Sequence, residues 1–120
     1  MGVSQVVLIV EDEFLVREAI AFTLEAEGWE VLVASHGEGA IALLEAPAAH
    51  IDVLFTDIQL GGFLSGWDVA DAFCRERPDI AVIYTSANAT QTSRQVPGSV
   101  FIDKPYAAAQ IVSACRKVMP

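Results

Sequence analysis

Basic side chains are scarce in this sequence. Seven Lys and Arg stand against 16 Asp and Glu among 120 residues, which gives a formal net charge of −9. Nucleic-acid binding requires clustered cations that contact phosphates, and an anionic membrane surface repels an acidic chain, so we expect neither as a direct partner. Long apolar runs are also lacking: Val6–Val10 is far shorter than the roughly 20 residues of a membrane-spanning helix. Without a basic, cleavable leader, the chain is expected to be cytoplasmic, with no membrane insertion.

Cysteine is scarce as well. Cys74 and Cys115 are the two thiols, and they show no CxxC spacing. This excludes a disulfide scaffold and a cysteine metal site, and we expect two reduced, buried thiols. The apolar fraction of 53% excludes a disordered chain, because such chains cannot bury enough surface to fold. The length fits one domain over residues 1–120.

Apolar runs alternate with helix-like stretches along the whole chain. Strands are predicted at Val6–Val10, Glu30–Ala34, Ile51–Thr56, Ile80–Thr85 and Val100–Ile102. The stretches between them have the periodicity of amphipathic helices, so the order of elements predicts an α/β fold with a parallel sheet. The interval Ala87–Gly98 is polar and weakly patterned. We therefore expect the fourth helix, which would lie there, to be short or irregular.

Polar and charged side chains follow four of the predicted strands. These groups are Glu11-Asp12 after the first strand, Asp57 after the third, Ser86 after the fourth and Lys104 after the fifth. Each has an ordinary explanation by itself, as a helix cap, a turn residue or a solvated charge. Ligands of open parallel sheets bind at this edge, however, and crowded carboxylates need a hard cation. Together these residues indicate an Mg²⁺ site prepared for phosphoryl transfer, with one carboxylate as nucleophile.

With these residues, the chain resembles the receiver domain of bacterial two-component response regulators over essentially its whole length. The resemblance is carried by Glu11-Asp12, Asp57, Ser86-Ala87 and Lys104-Pro105. It implies a doubly wound, flavodoxin-like sheet of five parallel strands in the order 2-1-3-4-5, with helices on both faces. The start at Met1 favours the stand-alone, single-domain type of regulator.

The resemblance also implies roles for individual residues. Asp57 is the expected phosphoacceptor, and Asp12, Asp57 and the backbone carbonyl of Gln59 are the expected Mg²⁺ ligands. Glu11 would act on the ion mostly through bound water. Lys104, which would precede a cis peptide bond to Pro105, is expected to pair with the phosphoryl oxygens.

Two further residues are implied to transmit the change. Ser86 would hydrogen-bond to the phosphoryl group, and Phe101 matches the switch aromatic of the family. The implied function is that of a phosphoacceptor signalling domain, which takes its phosphoryl group from a histidine kinase or phosphotransfer protein. It would then change its binding to a downstream protein, and it is not expected to be an enzyme that turns over a separate substrate.

The sequence departs from the family pattern near the acceptor. Asp57 is followed by Ile58-Gln59-Leu60-Gly61 and not by the frequent Asp-x-x-Met-Pro, and the loop to Gly66 is one residue longer than usual. Gln59 and Asn88 occupy positions that tune phosphoryl lifetime in the family, so the lifetime is left open.

Two alternative functions belong to other classes. Gly37-x-Gly39-x-x-Ala42 fits a dinucleotide-binding fingerprint, although Glu38 would place a negative charge beside the pyrophosphate. A metal-dependent phosphatase with an aspartyl-phosphate intermediate on Asp57 is the second alternative. Such enzymes usually carry an acid two residues after the nucleophile, and Gln59 stands there.

Overall fold

The computed structural model describes residues 5–46, 50–87 and 94–119. These residues form five strands and four helices, and a helix follows each of the first three strands and the last. In chain order the elements are β1 (Val6–Val10), α1 (Phe14–Ala26), β2 (Glu30–Ala34), α2 (Gly37–Glu45), β3 (Val53–Asp57), α3 (Gly66–Glu76), β4 (Ala81–Ser86), β5 (Val100–Asp103) and α4 (Ala108–Val118). All pairings are parallel and the strand order is β2-β1-β3-β4-β5, which confirms the predicted topology.

The expected fourth helix falls in the interval between β4 and β5. Residues 88–93, including Asn88, lie outside the described residues, and residues 94–99 form turns with no helix. The helix named α4 here is therefore the one predicted last in the sequence. No helix in the described part of the chain is both long enough and apolar enough to cross a membrane.

Two apolar layers cover the two faces of the sheet. One layer joins alternate residues of the central strands, such as Leu8 and Leu54, to α2 and α3. The other joins their neighbours, such as Ile9 and Phe55, to α1 and α4. Burying a large aliphatic or aromatic side chain contributes about 1.5–3 kcal/mol, so continuous apolar strands are stable only in this doubly covered position.

Helix α3 begins close to the carboxyl end of β3. A capping box is present: Asp68 N–H donates to Ser65 Oγ at 3.2 Å, and Ser65 N–H donates to Asp68 Oδ2 at 2.8 Å. The first helical residue is Gly66, where a Cβ atom would lie 2.1 Å from the backbone oxygen of Asp57. A glycine is therefore required for the start of α3 to pass this close to the end of β3.

The segment that leads into β5 is tied to α3 and β4. Arg94 forms ion pairs with Asp68 at 3.2 Å and with Asp71 at 2.6 Å. The Val96 N–H donates to the Tyr84 hydroxyl at 3.3 Å. These contacts set where β5 pairs with β4, and thereby where the loop after β5 meets the end of the sheet.

Candidate functional site

Three carboxylates meet at the carboxyl end of the sheet. Glu11 and Asp12 follow β1, and Asp57 is the last residue of the neighbouring strand β3. One oxygen from each lies within 4.8 Å of the others. Glu11 is 1% exposed and Asp57 5%, whereas Asp12 is exposed. The structure thus brings together the three acids that the sequence predicted, with Asp12 on the solvent side.

Lys104 bridges the two buried acids. Its Nζ donates to Asp57 Oδ2 at 2.8 Å and to Glu11 Oε1 at 3.0 Å, and the side chain is 18% exposed. Burial by itself lowers the pKa of Lys104, but the hydrogen bonds to Asp57 and Glu11 outweigh it, and the pKa is raised. The ammonium is therefore charged throughout the neutral range. The Lys104–Pro105 peptide bond is cis, as predicted.

Glu11 is the most strongly desolvated acid of the site. Its burial raises its pKa, and the Glu13 N–H and the Lys104 ammonium act in the opposite direction. The Glu13 N–H donates to Glu11 Oε2 at 3.0 Å, while Lys104 occupies Oε1. Both oxygens thus already accept hydrogen bonds, so direct ligation of a cation would have to compete with them. This arrangement is compatible with the expected role through bound water, which stays a prediction.

The Asp57 carboxylate is held on two sides. Oδ2 accepts from Lys104, and Oδ1 accepts from the Gln59 N–H at 3.1 Å. The turn after β3 is therefore folded around the acceptor side chain. The expected use of the Gln59 carbonyl as a metal ligand is not tested by these contacts and stays a prediction.

Ser86 and Phe101 occupy different positions relative to the acids. Asp57 is paired in register with Thr85, and Ser86, which is 1% exposed, comes directly after Thr85. Phe101 lies opposite Tyr84 in the β4–β5 register, and its ring centroid is 6.4 Å from that of Tyr84 and 6.4 Å from that of Trp67. Ser86 therefore belongs to the rim of the site, whereas Phe101 lies in an aromatic cluster on the α2–α3 face of the sheet.

Sequence reasoning missed the apolar surface around these acids. Phe14 and Leu15, at the start of α1, are 62% and 79% exposed, and Phe63, in the loop between β3 and α3, is 96% exposed. The same loop approaches the acids, since a Cβ atom at Gly61 would lie 3.7 Å from Asp12 Oδ2. Phe63 follows two glycines and Phe14 follows three acids, so neither shows a periodic pattern that signals exposure.

The donor set fits a divalent cation. Carboxylate oxygens are the ligands that Mg²⁺ prefers, and the ion commonly keeps several waters. Three ionised carboxylates and one ammonium leave a formal charge of −2 at this site. A small dication therefore matches the site in both chemistry and charge.

The dinucleotide alternative is not favoured. Gly37 does open α2 after β2, but β2 is an edge strand and does not border the crevice between β1 and β3. The N-terminus of α2 is already capped, because the Gly39 N–H donates to His36 Nδ1 at 2.9 Å. Gly37 is packed under Leu64, whose Cβ would lie 2.6 Å from a Cβ at Gly37. Packing, and not a pyrophosphate, thus explains this glycine.

Comparison with known proteins finds relatives among response regulators. A family model described as "Response regulator receiver domain" matches residues 7–116. The chain is 32% identical over 117 residues to the sensory transduction protein RegX3 of Mycobacterium tuberculosis, covering 94% of this chain and 50% of RegX3. A probable transcriptional regulatory protein of Picosynechococcus is 30% identical over 122 residues, with 48% of its length covered. The chain thus spans about half the length of these curated relatives.

Solved structures show the same fold. A response regulator receiver protein from Sinorhizobium medicae has a TM-score of 0.90 and 30% identity, with 96% of this chain and 94% of that chain covered. The response regulator TrrA of Thermotoga maritima, solved in complex with Mg²⁺ and BeF, has a TM-score of 0.82 at 24% identity, covering 96% of this chain and 99% of that one. The doubly wound fold is therefore shared with both.

Proposed function

The chain belongs to the response regulator receiver domain family, and we propose that it acts in two-component signalling by accepting a phosphoryl group on Asp57. The observation that carries this assignment is the surroundings of Asp57. Its carboxylate is 5% exposed, lies 2.8 Å from the Lys104 ammonium and belongs to a cluster with Asp12 and Glu11. A nucleophilic carboxylate, a cation for the incoming charge and a donor set for a dication are the parts that phosphoryl transfer needs.

In the proposed reaction, an Asp57 carboxylate oxygen attacks the phosphorus of a phosphohistidine donor. The new P–O bond forms as the P–N bond breaks, and the donor imidazole leaves with the electron pair and takes up a proton. Mg²⁺, held by Asp12, Asp57 and the Gln59 carbonyl and by Glu11 through water, would offset charge on the phosphoryl oxygens. The Lys104 ammonium neutralises the same oxygens from the β5 side.

The apolar rim suits a protein donor. Phe14 and Leu15 begin α1 directly after the acids that follow β1, Phe63 lies in the loop after Asp57, and all three expose apolar surface on a chain of net charge −9. Exposed apolar groups rimmed by polar residues are typical of protein-binding surfaces. We therefore propose that the donor is a histidine kinase or phosphotransfer protein, whose phosphohistidine is brought to Asp57 by contact with this rim.

The conformational response to phosphorylation is proposed to involve Ser86 and Phe101. We propose that Ser86 hydrogen-bonds to the phosphoryl group and that Phe101, in contact with Tyr84 and Trp67, changes its packing as Ser86 moves. The downstream partner is then a protein that recognises the altered surface. We propose further that the chain turns over no separate substrate, that it is cytoplasmic, and that residues 1–120 form one receiver domain.

Phosphorylation by a small donor tests the assignment. The protein is incubated with acetyl phosphate and Mg²⁺, and its intact mass is measured. We expect one added phosphoryl group in the parent and none in Asp57→Asn. Asp103→Asn is the matched control, because Asp103 is an exposed acid at the same end of the sheet, and it should be modified like the parent. Equal modification of Asp57→Asn and the parent would disprove the proposed acceptor.

Removal of the metal tests the proposed requirement for Mg²⁺. With excess chelator, we expect the rate of modification to fall by orders of magnitude, because the site then holds uncompensated negative charge. A rate that is unchanged in chelator would contradict the proposed Mg²⁺ requirement without touching the assignment of Asp57.

A further inference from the structure

Two buried hydroxyl groups beside the site have no hydrogen-bond partner among the described residues. They are Thr85 Oγ1 and the Tyr106 hydroxyl. Thr85 is 1% exposed, and the oxygen of Tyr106 is also inaccessible to solvent. Buried polar groups are almost always bonded, so each exception calls for an explanation, such as strain held for a functional change.

Both hydroxyls lie next to the acceptor strand. Thr85 is the register partner of Asp57, and it follows Ile83 by two residues, which places both side chains on the face covered by α1 and α4. Tyr106 packs against the same apolar layer, and its ring meets that of Phe55 edge-on, with centroids 6.3 Å apart. Phe55 is two residues before Asp57. The two hydroxyls therefore approach the acceptor from one side of the sheet.

Tyr106 responds to the charges of the site. Burial raises the pKa of Tyr106 to about 12, while the Lys104 ammonium and the Thr85 hydroxyl lower it and Glu11 and Asp57 raise it. The phenol is thus near the ammonium and the carboxylates, and Thr85 is close enough to lower the Tyr106 pKa as a hydrogen-bonding neighbour, although the two hydroxyls do not meet the geometry of a hydrogen bond.

Tyr106 is also connected to Lys104 through a single residue, Pro105. In this structure the Lys104 ammonium donates hydrogen bonds to both Asp57 and Glu11. A phosphoryl group on Asp57 would draw it away from that position, and a shift of Lys104 is passed along the short connection to Tyr106. The hydroxyl pair is therefore well placed to respond to the state of Asp57.

We propose that Thr85 and Tyr106 are positioning residues whose hydroxyls bond to each other once Asp57 carries a phosphoryl group. This rests on the proposed function. The unmodified form bears two unsatisfied hydroxyls, and the modified form satisfies both. This difference should raise the equilibrium constant for the modified conformation roughly five-fold or more. That is the amount expected when one buried hydroxyl gains a hydrogen-bond partner.

This pair is separate from Ser86 and Phe101. Phe101 has no hydroxyl and packs on the opposite face of the sheet, against Tyr84 and Trp67. The response to a phosphoryl group would therefore reach both faces: the aromatic cluster on the α2–α3 face, and the Thr85–Tyr106 pair on the α1–α4 face.

The test compares Tyr106→Phe, Thr85→Val and the double variant with the parent. Each is measured in two ways: the melting temperature without ligand, and the apparent affinity for beryllofluoride, a phosphoryl mimic, at saturating Mg²⁺. We expect unchanged or higher melting temperatures, and about five-fold weaker beryllofluoride binding. The double variant should bind no more weakly than either single variant, because one shared hydrogen bond is lost in all three.

Tyr84→Phe is the matched control, because its hydroxyl already accepts from the Val96 N–H. It should lower the melting temperature, because the Val96 N–H then loses its acceptor. The inference is overturned if Tyr106→Phe and Thr85→Val lower the melting temperature as Tyr84→Phe does, or if they bind beryllofluoride like the parent. If the parent itself does not bind beryllofluoride, the proposed function fails instead.

Discussion

Replacement of Lys104 by methionine is expected to destabilise the protein strongly. The substitution keeps most of the side-chain length and removes the charge, so Glu11 and Asp57 lose the ammonium that lies 3.0 and 2.8 Å from their oxygens. Both acids are nearly inaccessible to solvent, at 1% and 5% exposure, so water cannot take over this role without a local rearrangement.

The magnitude follows from the burial of the pair. Removal of one partner from a buried ion pair costs about 3–5 kcal/mol, because it leaves a buried charge uncompensated. Lys104 is itself 18% exposed, so we take the lower end and expect a loss of about 3 kcal/mol at pH 7. For a domain of this size, this corresponds to a fall in melting temperature of ~10 °C.

The loss should depend on pH with a defined sign. The pKa of Glu11 is raised above 4.5 by burial, and it rises further when the ammonium is gone, because the Asp57 charge then acts unopposed. A carboxyl whose pKa is higher in the folded than in the unfolded protein favours folding below its unfolded pKa. That contribution is lost as the pH rises through the folded pKa. The variant should therefore approach the parent as the pH falls from 7 toward 4.5.

Urea unfolding at 25 °C, followed by tryptophan fluorescence between pH 5 and 8 without Mg²⁺, measures this difference. The chain offers a matched control in its other lysine, Lys117, which is exposed in the last turn of α4, and Lys117→Met should change the free energy of unfolding by less than about 0.5 kcal/mol. A Lys104→Met loss of under about 1 kcal/mol, or a loss that is the same at pH 5 and pH 8, would refute the reasoning.

Two further predictions concern packing and the thiols. Gly66→Ala should abolish folding or lower the melting temperature severely, because its Cβ atom would lie 2.1 Å from the Asp57 oxygen. Gly61→Ala, whose Cβ makes an ordinary 3.7 Å contact, should be tolerated, and comparable melting curves for the two would contradict the close approach. Burial raises the pKa of Cys115 from 9.0 to about 12, so its alkylation at pH 8 should be limited by unfolding. In a Cys74→Ala background, labelling of native protein as fast as that of urea-unfolded protein would exclude this burial. The stability gained by keeping the Cys115 thiol neutral should be complete below pH 9.0 and lost as the pH rises toward 12.

The strand order and the meeting of the acids could be predicted because they follow from topology. Continuous apolar runs require strands covered on both faces, and parallel strands bring their carboxyl ends to one edge. Glu11, Asp12, Asp57 and Lys104 therefore meet in the structure as expected. Strand bounds were less accurate. β3 was predicted over Ile51–Thr56 and runs Val53–Asp57, because Asp52 uses its side chain to accept from the Val6 N–H at 2.8 Å.

The details that depend on register and on distant packing could not be predicted. The pairing of Asp57 with Thr85 is set by how β3 and β4 align, and a shift of one residue would turn Thr85 to the other face. Likewise, the two unpartnered hydroxyls depend on the placement of the loop after β5. Phe63 is exposed because of the conformation of its loop, and no local pattern in the sequence predicts that conformation.

The scarcity of cations bears directly on how the site works. In the described part of the chain, Arg94 and Arg116 are engaged with Asp68, Asp71 and Glu27 on remote surfaces. Arg17 donates to the backbone oxygen of Glu11 at 2.8 Å, and its guanidinium lies over the Phe14 ring. Lys104 pairs with two of the three acids, Glu11 and Asp57, and the formal charge of the four groups is −2 when all are ionised. A phosphoryl group brings more negative charge, so a site with so few cations needs a divalent ion before it can accept one.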